Sequence, residues 1–134
     1  MRDRTIGQIS RQAGVEIETI RFYERRGLIR RGRRSEGNIR LYDSAAVRRL
    51  RFVSEAKDIG FSLNEIGELL SMRQDAAADC AQVRGRAMRK LQEVDHKIRG
   101  LRRIRKTLSK LAGSCPGTGP IARCPILHSL QRLK

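Results

Sequence analysis

The sequence has few aromatic residues. It contains no Trp, two Tyr and three Phe, so aromatic side chains make up 4% of its 134 residues. This scarcity argues against a deep aromatic-lined substrate pocket and favours packing of aliphatic helices. No Ser or Thr forms a nucleophile–base arrangement with either His, so we expect a protein that is not an enzyme.

Long apolar runs are also missing. None approaches the roughly 20 residues that cross a bilayer, and residues 1–5, Met-Arg-Asp-Arg-Thr, lead into no apolar signal stretch. We therefore expect a cytoplasmic protein with no membrane partner. Thiols stay reduced in the cytoplasm, so the three cysteines, an odd number, predict a metal or redox site and not a disulfide framework.

Acidic residues are outnumbered. The chain has 30 Lys and Arg against 14 Asp and Glu, a formal net charge of +16. Such a surface attracts polyanions, chiefly through release of counterions from nucleic acid. Composition alone also fits a basic protein with a solvated surface, but nucleic acid is the favoured partner.

The N-terminal segment has the pattern of a helix-turn-helix. Thr5 and Gln8 have the spacing of a capping box, and Gly14 closes the first short helix. A second helix lies within residues 15–26 and is stopped by Gly27. Two short helices joined at a glycine in a basic segment are typical of this motif.

A wing and two further helices are predicted next. The basic run 30–34, the turn signal 36–38 and the alternating segment 39–42 indicate a β-hairpin. Asp43 is placed to cap a helix running to about Ile59. Ser62 opens a fourth helix with another capping box. One face of the third helix is apolar and predicts core positions, namely Val47, Leu50, Val53 and Ala56.

A long helix is predicted from Asp79 to Leu111. Its apolar residues recur every three or four positions, namely Leu91, Val94, Ile98, Leu101, Ile104, Leu108 and Leu111. Too little chain remains to cover this seam on a helix of roughly 50 Å, which favours a homodimer. A Gly/Pro-rich loop follows, and Pro125 suits the start of a last helix, Ile126 to Leu133.

These elements predict a mainly all-α fold. A winged helix-turn-helix DNA-binding domain is expected at 1–75, a dimerisation helix at 76–111, and a metal-binding loop with a short helix at 112–134.

Candidate DNA contacts lie in the second helix and the wing. Thr19 and Tyr23 are four residues apart on one face, and Arg21 lies near the helix start, whereas Ile20 and Phe22 are expected in the core. Wing cations can follow the flanking backbone, namely Arg33, Arg34 and Arg40.

Four motifs resemble the MerR family of regulators, over nearly the whole chain from Thr5 to about Leu130. They are residues 19–24 (Thr-Ile-Arg-Phe-Tyr-Glu), 27–29 (Gly-Leu-Ile), 39–42 (Ile-Arg-Leu-Tyr) and 60–66 (Gly-Phe-Ser-Leu-Asn-Glu-Ile). The resemblance implies a winged helix-turn-helix with Tyr42 among the wing contacts, a long antiparallel dimerisation helix and a C-terminal effector segment. It also implies promoter DNA and RNA polymerase as partners, with effector-triggered DNA distortion as the output.

The resemblance also places the cysteines. Cys80 and Cys115 stand at opposite ends of the long helix, so they cannot meet in one protomer. An antiparallel dimer of the family's kind would bring Cys80 of one protomer to Cys115 and Cys124 of its partner. Three thiolates suit a soft ion.

Comparison with metal-sensing members of the family narrows the choice of metal ion. Copper-sensing members lack a cysteine at Cys80, and zinc-sensing members carry extra loop ligands where Ser114 and Gly119 stand here. Mercury-sensing members share the spacing and the closing segment 124–127, Cys-Pro-Ile-Leu. We expect Hg(II) as effector at a mercury-resistance promoter, with repression and activation by one protein; Pb(II), Cd(II) and Zn(II) remain alternatives.

Three questions stay open at this stage. In the wing, residues 37–40 read Gly-Asn-Ile-Arg where many family members have Asn-Gly-Tyr-Arg, which leaves the turn geometry undecided. A structural zinc site in a basic chromatin-type protein normally needs a fourth ligand, for which His128 is near enough and His96, in mid-helix, is not. Cys115 and Cys124 could instead form a redox switch.

Overall fold

The computed structural model describes residues 3–132, which form six α-helices and one small antiparallel sheet. The elements are α1 Ile6–Ala13, α2 Ile17–Arg25, β1 Arg33–Arg34, β2 Arg40–Leu41, α3 Ser44–Asp58, α4 Leu63–Gln74, α5 Cys80–Gly113, a 3-10 turn Ile121–Arg123 and α6 Pro125–Arg132. The chain divides into two compact units, one ending at Gly85 and the other beginning at Arg86. None of the helices described is apolar over enough length to cross a membrane.

The caps predicted from the sequence are formed. The Thr5 amide donates to Gln8 Oε1 (2.8 Å) and the Gln8 amide donates to Thr5 Oγ1 (3.3 Å), which confirms the capping box of α1. Gly14 ends that helix with φ of 70°, a left-handed conformation that glycine adopts without strain. Ser62 and Glu65 make the equivalent pair of hydrogen bonds at the start of α4.

The hydrophobic core of the first unit is built by α1 to α4. Its fully buried side chains are Ile9, Ile20, Leu50, Val53 and Ile66. The predicted inner face of α3 is confirmed, since all four of its residues are buried. Phe22 was wrongly expected in the core and is 38% exposed. At 100° per residue it lies about 200° around α2 from Ile20, so Tyr23 takes the inward position instead.

Side chains bonded to backbone carbonyls hold the helices of the first unit together. Ser10 Oγ donates to the Val15 carbonyl (2.6 Å) across the turn between α1 and α2. Arg49 Nε of α3 donates to the Leu28 carbonyl (2.6 Å), just beyond α2. These bonds satisfy turn carbonyls that no helix pairs, and they fix α2 relative to α1 and α3.

The predicted wing is a two-stranded hairpin. Arg33 pairs with Leu41 and Arg34 with Arg40. Asn38 adopts φ of 63°, so asparagine supplies the left-handed turn residue and settles the turn geometry that the sequence left open. Tyr42 continues beyond β2 in a β-bridge with Arg4, with both hydrogen bonds at 2.7 Å.

The second unit consists of the exposed helix α5 from Arg86 onward, followed by a loop and a short helix. Neither α5, a helix of 34 residues, nor α6 contains a buried residue within the described part of the chain. Pro125 is the first residue of α6, as predicted, and Leu133, where that helix was expected to end, lies outside the described residues.

Candidate nucleic-acid interface and metal-ligating cysteines

The outer face of α2 presents basic side chains. Arg21 Nη1 lies 3.2 Å from Glu18 Oε1, and the two side chains are 55% and 79% exposed. An ion pair this exposed contributes little to stability, so Arg21 can exchange Glu18 for a phosphate. Arg25, one turn later and also exposed, extends the same face, while Thr19 is half-buried.

Each of the three predicted wing cations has a partner, within the wing for Arg34 and Arg40 and at the N-terminal end of the described chain for Arg33. Arg34 Nη1 donates to the backbone oxygen (3.0 Å) and side-chain Oδ1 (3.2 Å) of Asn38, so it braces the turn. Arg40 Nη1 donates to the Gly32 carbonyl (2.9 Å). Arg33 is exposed and forms an ion pair with Asp3. The guanidiniums are therefore positioned in advance, which lowers the entropy cost of binding phosphate.

The two tyrosines are buried, with Tyr23 7% and Tyr42 3% exposed, and their assignment as DNA contacts stays a prediction. The Tyr42 hydroxyl lies 3.0 Å from both carboxylate oxygens of Glu24, to which it donates. Burial first, and then the hydrogen bond and charge of Glu24, raise the pKa of Tyr42 to about 12. Burial and the charge of Asp58 raise the pKa of Tyr23. Tyr42 therefore joins the wing to α2.

A depression of about 470 Å³ lies between α2 and the wing. Its lining includes five arginines, namely Arg21, Arg25, Arg31, Arg34 and Arg40. Glu24 also lines it, but its carboxylate is engaged by Tyr42. Sequence reasoning missed Arg25 and Arg31; the spacing of four residues from Arg21 to Arg25 was a signal for the former. This concentration of guanidiniums suits a phosphate backbone.

All three cysteines are free thiols. Cys80 is exposed at the first position of α5, and Cys115 and Cys124, both half-buried, flank the loop between α5 and α6. Cys115 Sγ accepts a hydrogen bond from the Gly117 amide (3.4 Å). His128 Nε2 lies 3.0 Å from the Ala122 carbonyl, so the ring already contacts the loop backbone.

The single chain does not assemble a complete metal site. Within residues 3–132, no three His, Cys, Asp or Glu side chains are grouped so that they could hold an ion. The donor set itself, three unoxidised thiols, fits a soft ion. Sequence reasoning placed Cys80 and the other two cysteines on different protomers, and that assignment stays a prediction.

Two family descriptions match the chain. "MerR HTH family regulatory protein" matches residues 4–73, and "MerR, DNA binding" matches residues 47–111. Among curated proteins, the mercuric resistance operon regulatory protein of Serratia marcescens is 43% identical over 127 residues, which cover 95% of this chain and 87% of that protein.

Two solved structures similar to this chain are metal-bound transcription regulators. The lead(II) complex of the transcription regulator PbrR691 from Ralstonia metallidurans CH34 has a TM-score of 0.85 and 34% identity, covering 95% of this chain and 98% of that one. The mercury(II) complex of the regulator MerR from Bacillus megaterium MB1 has a TM-score of 0.73 and 33% identity, covering 96% and 99%. The chain is a winged helix-turn-helix protein and belongs to the MerR family of transcriptional regulators.

Proposed function

We propose that this protein is a mercury(II)-responsive regulator of a mercury-resistance promoter. It binds promoter DNA as a cytoplasmic homodimer, represses without metal, and activates RNA polymerase by distorting the DNA once the metal is bound. The observation that carries the proposal is the combination of three free thiols with 43% identity to a mercuric resistance regulator over 95% of the chain. We assign DNA contact to residues of α2 and the wing, namely Thr19, Arg21, Tyr23, Arg33, Arg34, Arg40 and Tyr42.

The exposed apolar seam of α5 supports the homodimer. Its side chains recur every three or four residues and are 39–63% exposed, namely Leu91, Val94, Ile98, Leu101, Ile104 and Leu108. A stripe of large aliphatic side chains along one helix face is normally covered by another helix. A second copy supplies the matching seam and makes the contact symmetric.

The metal would be held between protomers. Cys80 begins α5 and Cys115 follows its last residue by two positions, so the helix separates them within one chain. In an antiparallel pair, Cys80 of one protomer meets Cys115 and Cys124 of its partner. Thiolates bind soft ions in preference to hard ones, and ligation by residues of both protomers links metal binding to the dimer geometry.

A lead(II), cadmium(II) or zinc(II) regulator is the second candidate. The observation that favours lead is the likeness to PbrR691, whose structure was solved with lead(II). In vitro transcription from the native promoter, with metal-free protein as control, separates the candidates. We expect Hg(II) to activate at the lowest concentration; activation by Pb(II), Cd(II) or Zn(II) at lower concentrations would replace mercury in the proposal.

Mixed dimers test the shared site. Neither a Cys80→Ser homodimer nor a Cys124→Ser homodimer has an intact site, but a dimer with one chain of each kind regains one. We expect both homodimers to bind operator without being induced, and the mixed dimer to recover Hg(II) binding and induction. Mixed dimers that stay inactive, although formation of the mixed species is verified, would place the three ligands within one protomer.

A further inference from the structure

A second depression lies beside the wing, and Arg33 is the one arginine of its lining that the function proposed above uses. The depression measures about 520 Å³ and is lined by residues of the wing, α3 and the end of α4, all in the first unit. Its lining includes six arginines, namely Arg30, Arg31, Arg33, Arg48, Arg49 and Arg73. We call this feature the arginine basin.

The two carboxylates of the arginine basin offset only part of its positive charge. Two aspartates line it, and each is already engaged: Asp3 pairs with Arg33, and Asp43 accepts the Ala46 amide (3.0 Å) as the cap of α3. The basin therefore keeps an excess of positive charge. Guanidiniums so close together repel one another unless an anion lies among them.

Apart from Arg33, the arginines of the basin have no carboxylate partner among the described residues. Arg48 Nη1 lies 3.3 Å from Ser44 Oγ, and Arg73 lies over the ring of Phe52 at 5.5 Å. Across residues 3–132, Arg30 and Arg31 have neither a hydrogen bond nor an ion pair. Their donors are therefore available to a ligand.

The N-terminal end of α3 adds to the positive electrostatic potential of the basin. Ala45 and Ala46, in the first turn of this 15-residue helix, line the basin. The positive end of the helix dipole thus faces the same space as the guanidiniums. The fork of each guanidinium matches the oxygens of a phosphate, and the volume falls in the range that holds a small organic ligand.

We propose that the arginine basin binds a phosphate-bearing anion with several phosphate groups. Two kinds of ligand supply such phosphate groups. One is the DNA backbone beyond the face read by α2, and the other is a free polyphosphate or nucleotide. The site lies wholly within the first unit and needs no metal. Its test is therefore independent of the test of the mercury response.

The test uses a double variant that removes two positive charges, with a control that removes the same charge elsewhere. Arg30→Gln with Arg48→Gln removes two exposed cations of the basin, neither of which is among the proposed DNA contacts. Arg99→Gln with Arg103→Gln removes two exposed cations from α5. Isothermal titration of the metal-free full-length dimers with sodium tripolyphosphate, at constant ionic strength, compares both with the parent. We expect roughly tenfold weaker binding or worse for the basin variant alone.

Operator binding then identifies the source. If DNA phosphates occupy the basin, the basin variant also lowers the salt dependence of operator affinity by about two phosphate contacts, and the control does not. If the ligand is a free anion, only tripolyphosphate binding falls. Equal tripolyphosphate affinity in the parent, the basin variant and the control overturns the proposal, provided that all three unfold at the same temperature.

Discussion

Gly32, which precedes the first strand of the wing, has no room for a side chain. The residue is buried, and a Cβ there would lie 2.7 Å from the Leu41 carbonyl oxygen and 3.0 Å from Cζ of the Tyr42 ring. Ordinary contact begins at 3.4 Å, so the carbonyl would have to move by about 0.7 Å. We therefore expect Gly32→Ala to displace the wing.

The neighbours of Gly32 cannot give way cheaply. Leu41 is paired with Arg33 in the hairpin, and Tyr42 is held by Arg4 through its backbone and by Glu24 through its hydroxyl. Overpacking at such a site costs about 1–3 kcal/mol. For a cooperative unit of 60–100 residues, each kcal/mol lowers Tm by about 4–8 °C, so we expect a fall of at least about 4 °C.

Gly37→Ala, in the turn of the same hairpin, is the matched control. A Cβ at Gly37 would meet Ser35 Oγ at 3.8 Å, which is ordinary contact. Thermal unfolding followed by circular dichroism should separate the two variants, and fluorescence anisotropy on operator DNA should show weaker binding for Gly32→Ala alone. If Gly32→Ala unfolds and binds like Gly37→Ala, the wing is not packed against Gly32 as described.

Two further predictions concern α2 and the tyrosine behind it. Arg21→Ala should leave Tm unchanged, because its pair with Glu18 is exposed, and should reduce the salt dependence of operator affinity by about one phosphate; an unchanged slope, equal to that of Arg99→Ala, would remove Arg21 from the contacts. The pKa of Tyr42, raised to about 12, lies above the unfolded value of about 10, so its contribution to stability is complete below about pH 10 and is lost as pH rises toward 12. Tyr42→Phe should show a smaller alkaline loss of Tm than the parent, and an identical loss would contradict the role of Glu24.

Local signals were enough to predict the elements of the first unit. The capping boxes at Thr5 and Ser62 and the left-handed glycine at position 14 depend on residues within four positions of one another, and all three are formed. The inner face of α3 follows from helical periodicity in the same way. Such features need no knowledge of the tertiary structure, which is why sequence reasoning reached them.

Side-chain roles that depend on elements distant in the sequence could not be predicted from the sequence alone. Phe22, expected in the core, is exposed and the adjacent Tyr23 is buried, because the elements packed against α2 determine which of its faces points inward. The ring of Phe22 instead lies within about 6 Å of two guanidiniums, at 6.0 Å for Arg25 and 5.9 Å for Arg26. The arginine basin likewise joins arginines from positions 30 to 73, and no spacing in the sequence brings them together.

The connection between α2 and the wing constrains how the proposed response can work. Glu24 of α2 receives the Tyr42 hydroxyl, and Tyr42 is also paired with Arg4 through two backbone hydrogen bonds. Arg49 also ties the segment after α2 to α3. Bending the wing away from α2 would break these hydrogen bonds, which disfavours it as the source of a metal-dependent change in the DNA. Under the proposed function that change instead comes from movement of whole DNA-binding units within the dimer, so metal binding should leave the environment of the Tyr42 ring unchanged while the DNA is distorted.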